Sequence, residues 1–237
     1  EKAKAEMFVS GENQYIAKQE NYMKIPGLAY AYWLSQKWLD LFCEKKICSY
    51  GAAQEGIKTG KNELFLRNWQ EIDINRSNIF SNDNQKSKWY KTAKAGEHRR
   101  WYGSHYELTN FKNWGEEIIA FGHGSITGKE NLYKPAITWN RIATNKLGGL
   151  CLYPNDTDRF SELLGFLNSK VCEIELNVIN PTMSFPPGTI NSLAYKPIEN
   201  GKEKEACRNI VDENVAISKS DWDSFETSWD FKRHPLV

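Results

Sequence analysis

An α+β fold is predicted for these 237 residues: a curved, irregular, mostly antiparallel sheet flanked by helices, with a C-terminal helical segment. Two observations carry this. Residues 50 to 150 break into short runs rich in Trp, Tyr, Phe, Ile and Thr, separated by Gly, Asn, Asp and Lys, as strands joined by polar loops require. Residues 158 to 178 then return to the three-to-four apolar spacing of a helix with one buried face. No internal repeat is visible.

Taken in order, residues 1–24 are polar and helix-friendly and read as a connector. They hold neither a signal peptide nor an initiator Met, so a piece cut from a longer polypeptide is expected. "IPGLAYAYWLSQKWLDLFCEKK" opens with a turn at Pro26-Gly27, continues as a short strand, and enters a helix near Ser35 as N-cap. Leu34, Trp38 and Leu41 have the spacing of its buried stripe. Strands are predicted within "ELFLRNWQEI", "SKWYKTA", "HRRWYG", "EEIIAFG", "PAITWNRIA" and "GGLCLYP", with a surface loop at 74–87. In "DRFSELLGFLNSKVCEIELNV", Phe160, Leu163, Leu167, Val171, Ile174 and Val178 share one helix face, and Asn180-Pro181 ends it. "SFPPGTINSLAYKPI" reads as extended and turn-rich. Residues 202–231 read as helical, with Asp221 as a cap and Trp222, Phe225 and Trp229 on one stripe.

Composition removes several function classes. Hydrophobic residues make up 40% and charged residues 26%, ordinary values for a globular chain long enough to bury a real core. No apolar run reaches membrane-spanning length, and a cytoplasmic location is expected. Five cysteines without CxxC spacing read as free thiols in a reducing compartment. Four scattered histidines offer no HxxxH or HExxH pair, so no metal site is expected.

Catalytic motifs fail one by one. "GAAQEGIKTGKNELFLRNW" (51–69) looks like a phosphate loop, but only three residues separate Gly56 from Gly60, and Asn62 stands where a Ser or Thr is needed. "NPTM" (180–183) shares its first two residues with the Asn-Pro-Pro-aromatic motif of amino-methyltransferases and lacks the second proline and the aromatic. "FGHG" (121–124) falls short of a glycine-rich cofactor turn, and no GxSxG elbow is present. Glu116-Glu117 and Asp221/Asp223 read as solvated faces or helix starts. No catalytic residue is assigned.

Charge distribution says more than the net charge of +1. "KSKWYKTAKAGEHRRWY" (86–102) holds six cations against Glu97 alone, whereas residues 201–237 hold six basic and eight acidic side chains. Lys and Arg neutralise phosphates, Arg can read guanine, and Trp or Tyr can stack on bases. The same pattern also fits a solvated strand face whose aromatics are core. Lys58, Lys61 and Arg67 add charge, and the glycines beside them would let the backbone approach a duplex.

In order along the chain stand "IPGLAYAYWLS", "GIKTGKNELFLRNWQEI", "AGEHRRWYGSHYELTNFKNWGEEI", "AITWNRIA", "LLGFLNSKVCEIELNVINPTMSFPPGTINSLAYKPI" and "WDSFETSWDFKRHPLV". Over residues 25–237 this series resembles the C-terminal target-recognition region, TaqI-like in its specificity domain, of BREX-type (PglX-like) adenine-specific DNA methyltransferases. The resemblance implies a DNA-recognition domain over 25–200, a C-terminal helical extension over 201–237, and a connector over 1–24 from an N-terminal catalytic domain. That domain would bind S-adenosylmethionine and methylate adenine N6 in a phage-defence or restriction–modification system. The chain itself would carry no cofactor and no catalysis. Its partners would be double-stranded DNA, the catalytic domain and other defence-system proteins, with no membrane.

Within that frame Lys58, Lys61, Lys91, Lys94, Arg99 and Arg100 are assigned to phosphates, and Thr59, Asn62, Arg67 and Asn140 to the same DNA surface. Trp101, Trp139, Phe166 and Leu167 are assigned to the scaffold. The alternative is a protein-interaction module, docking other defence-system subunits or an inhibitor through the same basic surface.

Overall fold

In the computed structural model, residues 2–12, 14–79, 87–92, 99–132, 134–139, 150–182 and 184–236 are described. The strands form three small antiparallel sheets. The first orders β1 (Gly51–Glu55), β8 (Leu150–Pro154) and β7 (Ile137–Trp139), with β8 central. The second pairs β2 (Ile57–Lys58) with β6 (Ser125–Ile126). The third orders β3 (Leu66–Asn68), β5 (Glu107–Asn110) and β4 (Trp89–Lys91), with β5 central. The helices are α1 (Lys2–Ser10), α2 (Gln36–Leu41), α3 (Asn62–Phe65), α4 (Lys112–Ala120), α5 (Phe160–Leu167), α6 (Lys170–Ile179), α7 (Pro187–Asn191) and α8 (Gly201–Trp222). The α+β class holds, with the strands divided among three sheets.

The largest core lies between the first sheet and the helices. Leu152 sits opposite both Ala53 and Ile137 in the register. It is fully buried with Ile47, Leu163, Leu193 and Val211, each such side chain contributing about 1.5–3 kcal/mol of burial. Trp101, Trp139, Phe166 and Leu167 pack against this core as scaffold, and the Trp139 indole N–H donates to the Phe185 carbonyl at 2.9 Å. Val211 and Cys207 place α8 on α5 within the same core.

Two buried carboxylates fasten the segment after α7. Glu175 Oε2 accepts the Ala194 N–H at 2.8 Å, and Glu162 Oε1 accepts the Ile198 N–H at 2.6 Å. Burial pushes Glu175 up to about 7, partly countered by the Ala194 N–H and by Lys46. All five cysteines are free.

Several elements depart from the sequence-based expectation. Residues 29–34 form turns rather than a strand, and in α2 Leu39 is the buried residue while Trp38 is half-buried. Residues 99–103 form no strand, and "EEIIAFG" belongs mostly to α4. There residues 113–115 take left-handed backbone angles before the regular helical turn, in which Ile118 is buried while Ile119 faces solvent, a one-sided burial that the β-branched pair obscured. The long helix breaks at Asn168-Ser169, where the Ser169 hydroxyl caps the Cys172 N–H at 3.2 Å. The break rotates the buried face of α6 to Cys172, Glu175 and Val178, leaving Val171 exposed. Residues 187–191 are helical rather than extended. Asp221 lies in the last turn of α8 and is no cap; Asn200 caps the helix start through the Lys202 N–H. Trp222 and Trp229 are buried and Phe225 is exposed.

Candidate nucleic-acid interface

The Lys58–Asn62 turn is shaped by close backbone packing. Gly60 has φ +71°, and a Cβ there would lie 2.6–2.8 Å from the backbone of His123 and Gly124. Gly124 in turn lies against Ile118 and the Lys58 carbonyl, so the turn leaving β2 and the turn entering β6 interlock at one end of the pair. The space a side chain would fill is occupied by the protein itself, and the glycines are required for that reason. The "FGHG" stretch is thus the partner turn.

Side chains of the turn divide between inside and outside. Thr59 is only 7% exposed, and its hydroxyl donates to Asn62 Oδ1 at 2.6 Å. This bond closes the turn into α3 and spends the Asn62 oxygen. Lys58 is half exposed and ion-paired with Glu55. Lys61 is exposed; its carbonyl accepts the Leu64 and Phe65 N–H groups, while its ammonium has no partner among the described residues.

The third sheet carries the next cations. Arg67 and Lys91 both pair with Leu108 of β5, which puts them in one row across the sheet, on one face. Arg67 Nη1 donates to the carbonyls of Glu63 and Leu66, each at 2.6 Å, and its guanidinium lies 6.0 Å from the Trp89 ring. Lys88 lies 5.7 Å from the same ring, and Lys91 lies 5.3 Å from Trp229.

The basic segment that follows is docked on the acidic C-terminus. Arg99 Nη1 donates to Asp221 Oδ2 at 2.7 Å, and the guanidinium sits 4.8 Å from the Trp222 ring. Lys219 Nζ reaches Asp223 at 2.6 Å, Asp230 at 3.1 Å and the Tyr102 hydroxyl at 3.3 Å. Burial alone would lower the Lys219 pKa, but hydrogen bonds to Asp223, Tyr102 and Asp230 outweigh it and raise the pKa. His105 stacks on Trp229 with centroids 5.4 Å apart and meets Tyr102 edge-on at 4.6 Å. Burial, then the Lys219 charge, lowers its pKa, so the neutral ring is favoured. The indole N–H of Trp69 and the amide of Gln70 donate to the Thr227 and Glu226 carbonyls at 3.0 and 2.9 Å. These contacts strap residues 226–229 across the sheet. Arg100 is exposed and has no hydrogen-bond or ion-pair partner among the described residues.

Between the sheets opens a cleft of about 490 Å³, with Lys91, Lys134, His105, Tyr153 and Trp229 in its wall. Among the predicted residues that are described, only Lys91 lines it. Lys94 and Asn140 lie outside the described residues. Sequence reading did not assign Lys134, Lys88, Asp221 or Trp229 to this surface, although Lys88 is one of the six cations of the basic stretch. The motif fragments are consumed locally. Asn180 Nδ2 donates to the Ser184 carbonyl at 2.7 Å, while its Oδ1 accepts from Thr182 at 2.7 Å. Glu116 and Glu117 accept from Asn113 and Asn110. Among the described residues no three His, Cys, Asp or Glu side chains are placed to hold a metal, and no helix is long and apolar enough to cross a membrane.

No family model matches the chain. It is 31% identical over 249 aligned positions to the adenine-specific methyltransferase PglX of Lacticaseibacillus casei, covering 94% of this chain and 20% of that protein. It is 29% identical over 236 positions to the adenine-specific methyltransferase BrxX of Escherichia coli O9:H4, covering 92% of the chain and 19% of that protein. Over more than nine-tenths of its length the chain is therefore a homologue of BREX-type, PglX-like adenine-specific methyltransferases, and it spans about a fifth of their length.

Proposed function

We propose that the chain is the DNA target-recognition domain of an N6-adenine DNA methyltransferase of a phage-defence or restriction–modification system. In this reading it positions the duplex and does not itself transfer the methyl group. The observation that carries it is the match of nine-tenths of the chain to a fifth of two adenine-specific methyltransferases. The geometry agrees with a positioning role: Lys58, Lys61, Arg67 and Lys91 sit on short paired strands and a locked turn, which fix their spacing. Lys61 and Arg100 contact phosphates, Lys58 and Lys91 add field, and Arg67 and Asn62 approach base edges. S-adenosylmethionine and the extruded adenine belong to the rest of the polypeptide.

One contact favours a second reading. Arg99 already holds a carboxylate, Asp221, so the same surface suits an acidic protein partner.

Fluorescence anisotropy on labelled duplexes of equal length and different sequence separates the two, because only a DNA reader prefers one sequence. Lys61→Ala/Arg100→Ala is expected to flatten the dependence of log affinity on log salt by about two units, roughly 0.9 per lost phosphate contact. If neither the folded chain nor the full-length product of its gene binds any duplex in a salt-dependent way, the reading is wrong.

A further inference from the structure

Ten of the twenty large apolar side chains that face solvent among the described residues lie in the first 33 positions. That is half of them in about a seventh of the chain, and ring contacts gather part of them in space, Tyr15 lying 5.3 Å from Tyr32. Met23 and Tyr30 are more than three-quarters exposed, with Leu28 and Trp33 beside them.

This surface is ordered from beneath. Ile25 and Ala31 are buried together with Leu39, Phe42, Val178 and Ala194, which pins the segment at both ends. Between them Gly27 and Leu28 take left-handed backbone conformations, with φ of +75° and +57°. The chain therefore bulges outward and carries Leu28 and Tyr30 away from the core. The rings brace one another: Tyr22 and Tyr30 are 5.2 Å apart, and Tyr32 and Trp33 are 5.0 Å apart edge to face. Aromatic residues held in fixed orientation with little side-chain entropy left to lose are suited to the centre of a protein interface.

We infer that this aromatic surface, centred on Leu28, Tyr30 and Trp33, docks the remainder of a longer polypeptide, the catalytic body to which the chain is joined. The inference rests on reading the chain as part of a longer methyltransferase. The argument for this occupant is length: the two relatives are about five times as long as the region they share with this chain, and so large a body needs a fixed seat on the domain that orients DNA for it.

Hydroxyl-radical footprinting tests this on the full-length product of the gene and on the 237-residue chain. Oxidation of Tyr30 and Trp33 is expected to be about fivefold or more slower in the full-length product, as for side chains moved into an interface core. Equal reactivity in the two overturns the docking surface. So does protection that already appears in the 237-residue chain at concentrations where sedimentation shows a dimer, since the occupant is then a second copy. Leu28→Ser/Tyr30→Ser/Trp33→Ser, all exposed and hence compatible with folding, should make the full-length product's remaining 15–33 aromatics as reactive as in the short chain. Duplex binding, measured separately, keeps the two ideas apart. Sequence-selective binding with unprotected aromatics defeats only the docking surface, and protected aromatics without duplex binding defeat only the DNA reading.

Discussion

The Lys58–Asn62 turn and the Arg99–His105 segment each set cations next to a glycine, and the molecule uses them differently. In the turn, glycine brings backbone against backbone, and Lys61 is left pointing into solvent. In the segment, Gly103 lies against the Arg99 side chain and Trp222, and Arg99 is held by Asp221. Each pairs one cation and leaves another exposed, but the turn's counter-charge on Lys58 is local, from Glu55, whereas the segment's counter-charge on Arg99 comes from 122 residues along the chain. A cationic stretch is thus a binding surface only where no counter-charge of the same chain has reached it first. Here the acidic end of the protein has reached Arg99 and left Arg100 open.

The largest expected effect would break the docked side of this contrast. Trp229 is 8% exposed, stacks on His105 and receives Lys91 over its ring; Trp229→Ala should cost about 3 kcal/mol in urea unfolding. The loss should free residues 219–231 to exchange amide hydrogens faster. A cost near zero would mean that the strap contributes nothing to the fold.

Gly60→Ala breaks the other side. A methyl group there meets the His123 and Gly124 backbone in a left-handed conformation, and about 2 kcal/mol of stability should be lost. If thermal melting shows no change, the interlocked turns are not what holds Lys61 in place.

The third test uses pH. Because the folded-state pKa of His105 lies below its unfolded value, the unfolded chain binds the extra proton first. Stability is fully present above about pH 6.5, the unfolded pKa, and is lost as pH falls through the lowered folded pKa. The groups facing the ring are Lys219 and Lys91, which lower its pKa, and Asp223 and Asp230, which raise it. His105→Phe keeps an aromatic stack and should remove this part of the acid sensitivity, measured as unfolding free energy at pH 5 and 7.5. The same acid-induced loss in both proteins would assign the titration to another group.

Asp221→Asn is the mildest change and the sharpest. The pair it breaks is partly exposed, with Asp221 59% open, so stability should drop by only about 0.5 kcal/mol. Duplex affinity should rise as Arg99 is released, and the salt dependence should steepen. Unchanged affinity with an intact fold would remove Arg99 from the DNA surface.

Much of the architecture was legible from local pattern. The runs holding β3, β4, β7 and β8, the helical return after residue 158 and the turn at Gly27 were all read from spacing and composition. The misreadings have a common cause. Ile118-Ile119 looks like a strand because both are β-branched, but only Ile118 has a core to enter. The stripe from Phe160 to Val178 looks continuous because one serine is easily overlooked as a cap, although Ser169 resets the helix phase. At the candidate interface, Thr59 was legible as part of the turn but not as its buried lock.

By itself the sequence determined the class of fold, the positions of charge and the kinship with methyltransferases, since these depend on residue type and short-range period. Only the tertiary structure decided which of the described cations are already paired. Asp221 lies 122 residues from Arg99, and Trp229 and Lys91 meet across an even longer stretch of chain. Electrostatic and stacking energies depend on distance in space, and for such pairs sequence separation carries no information about it.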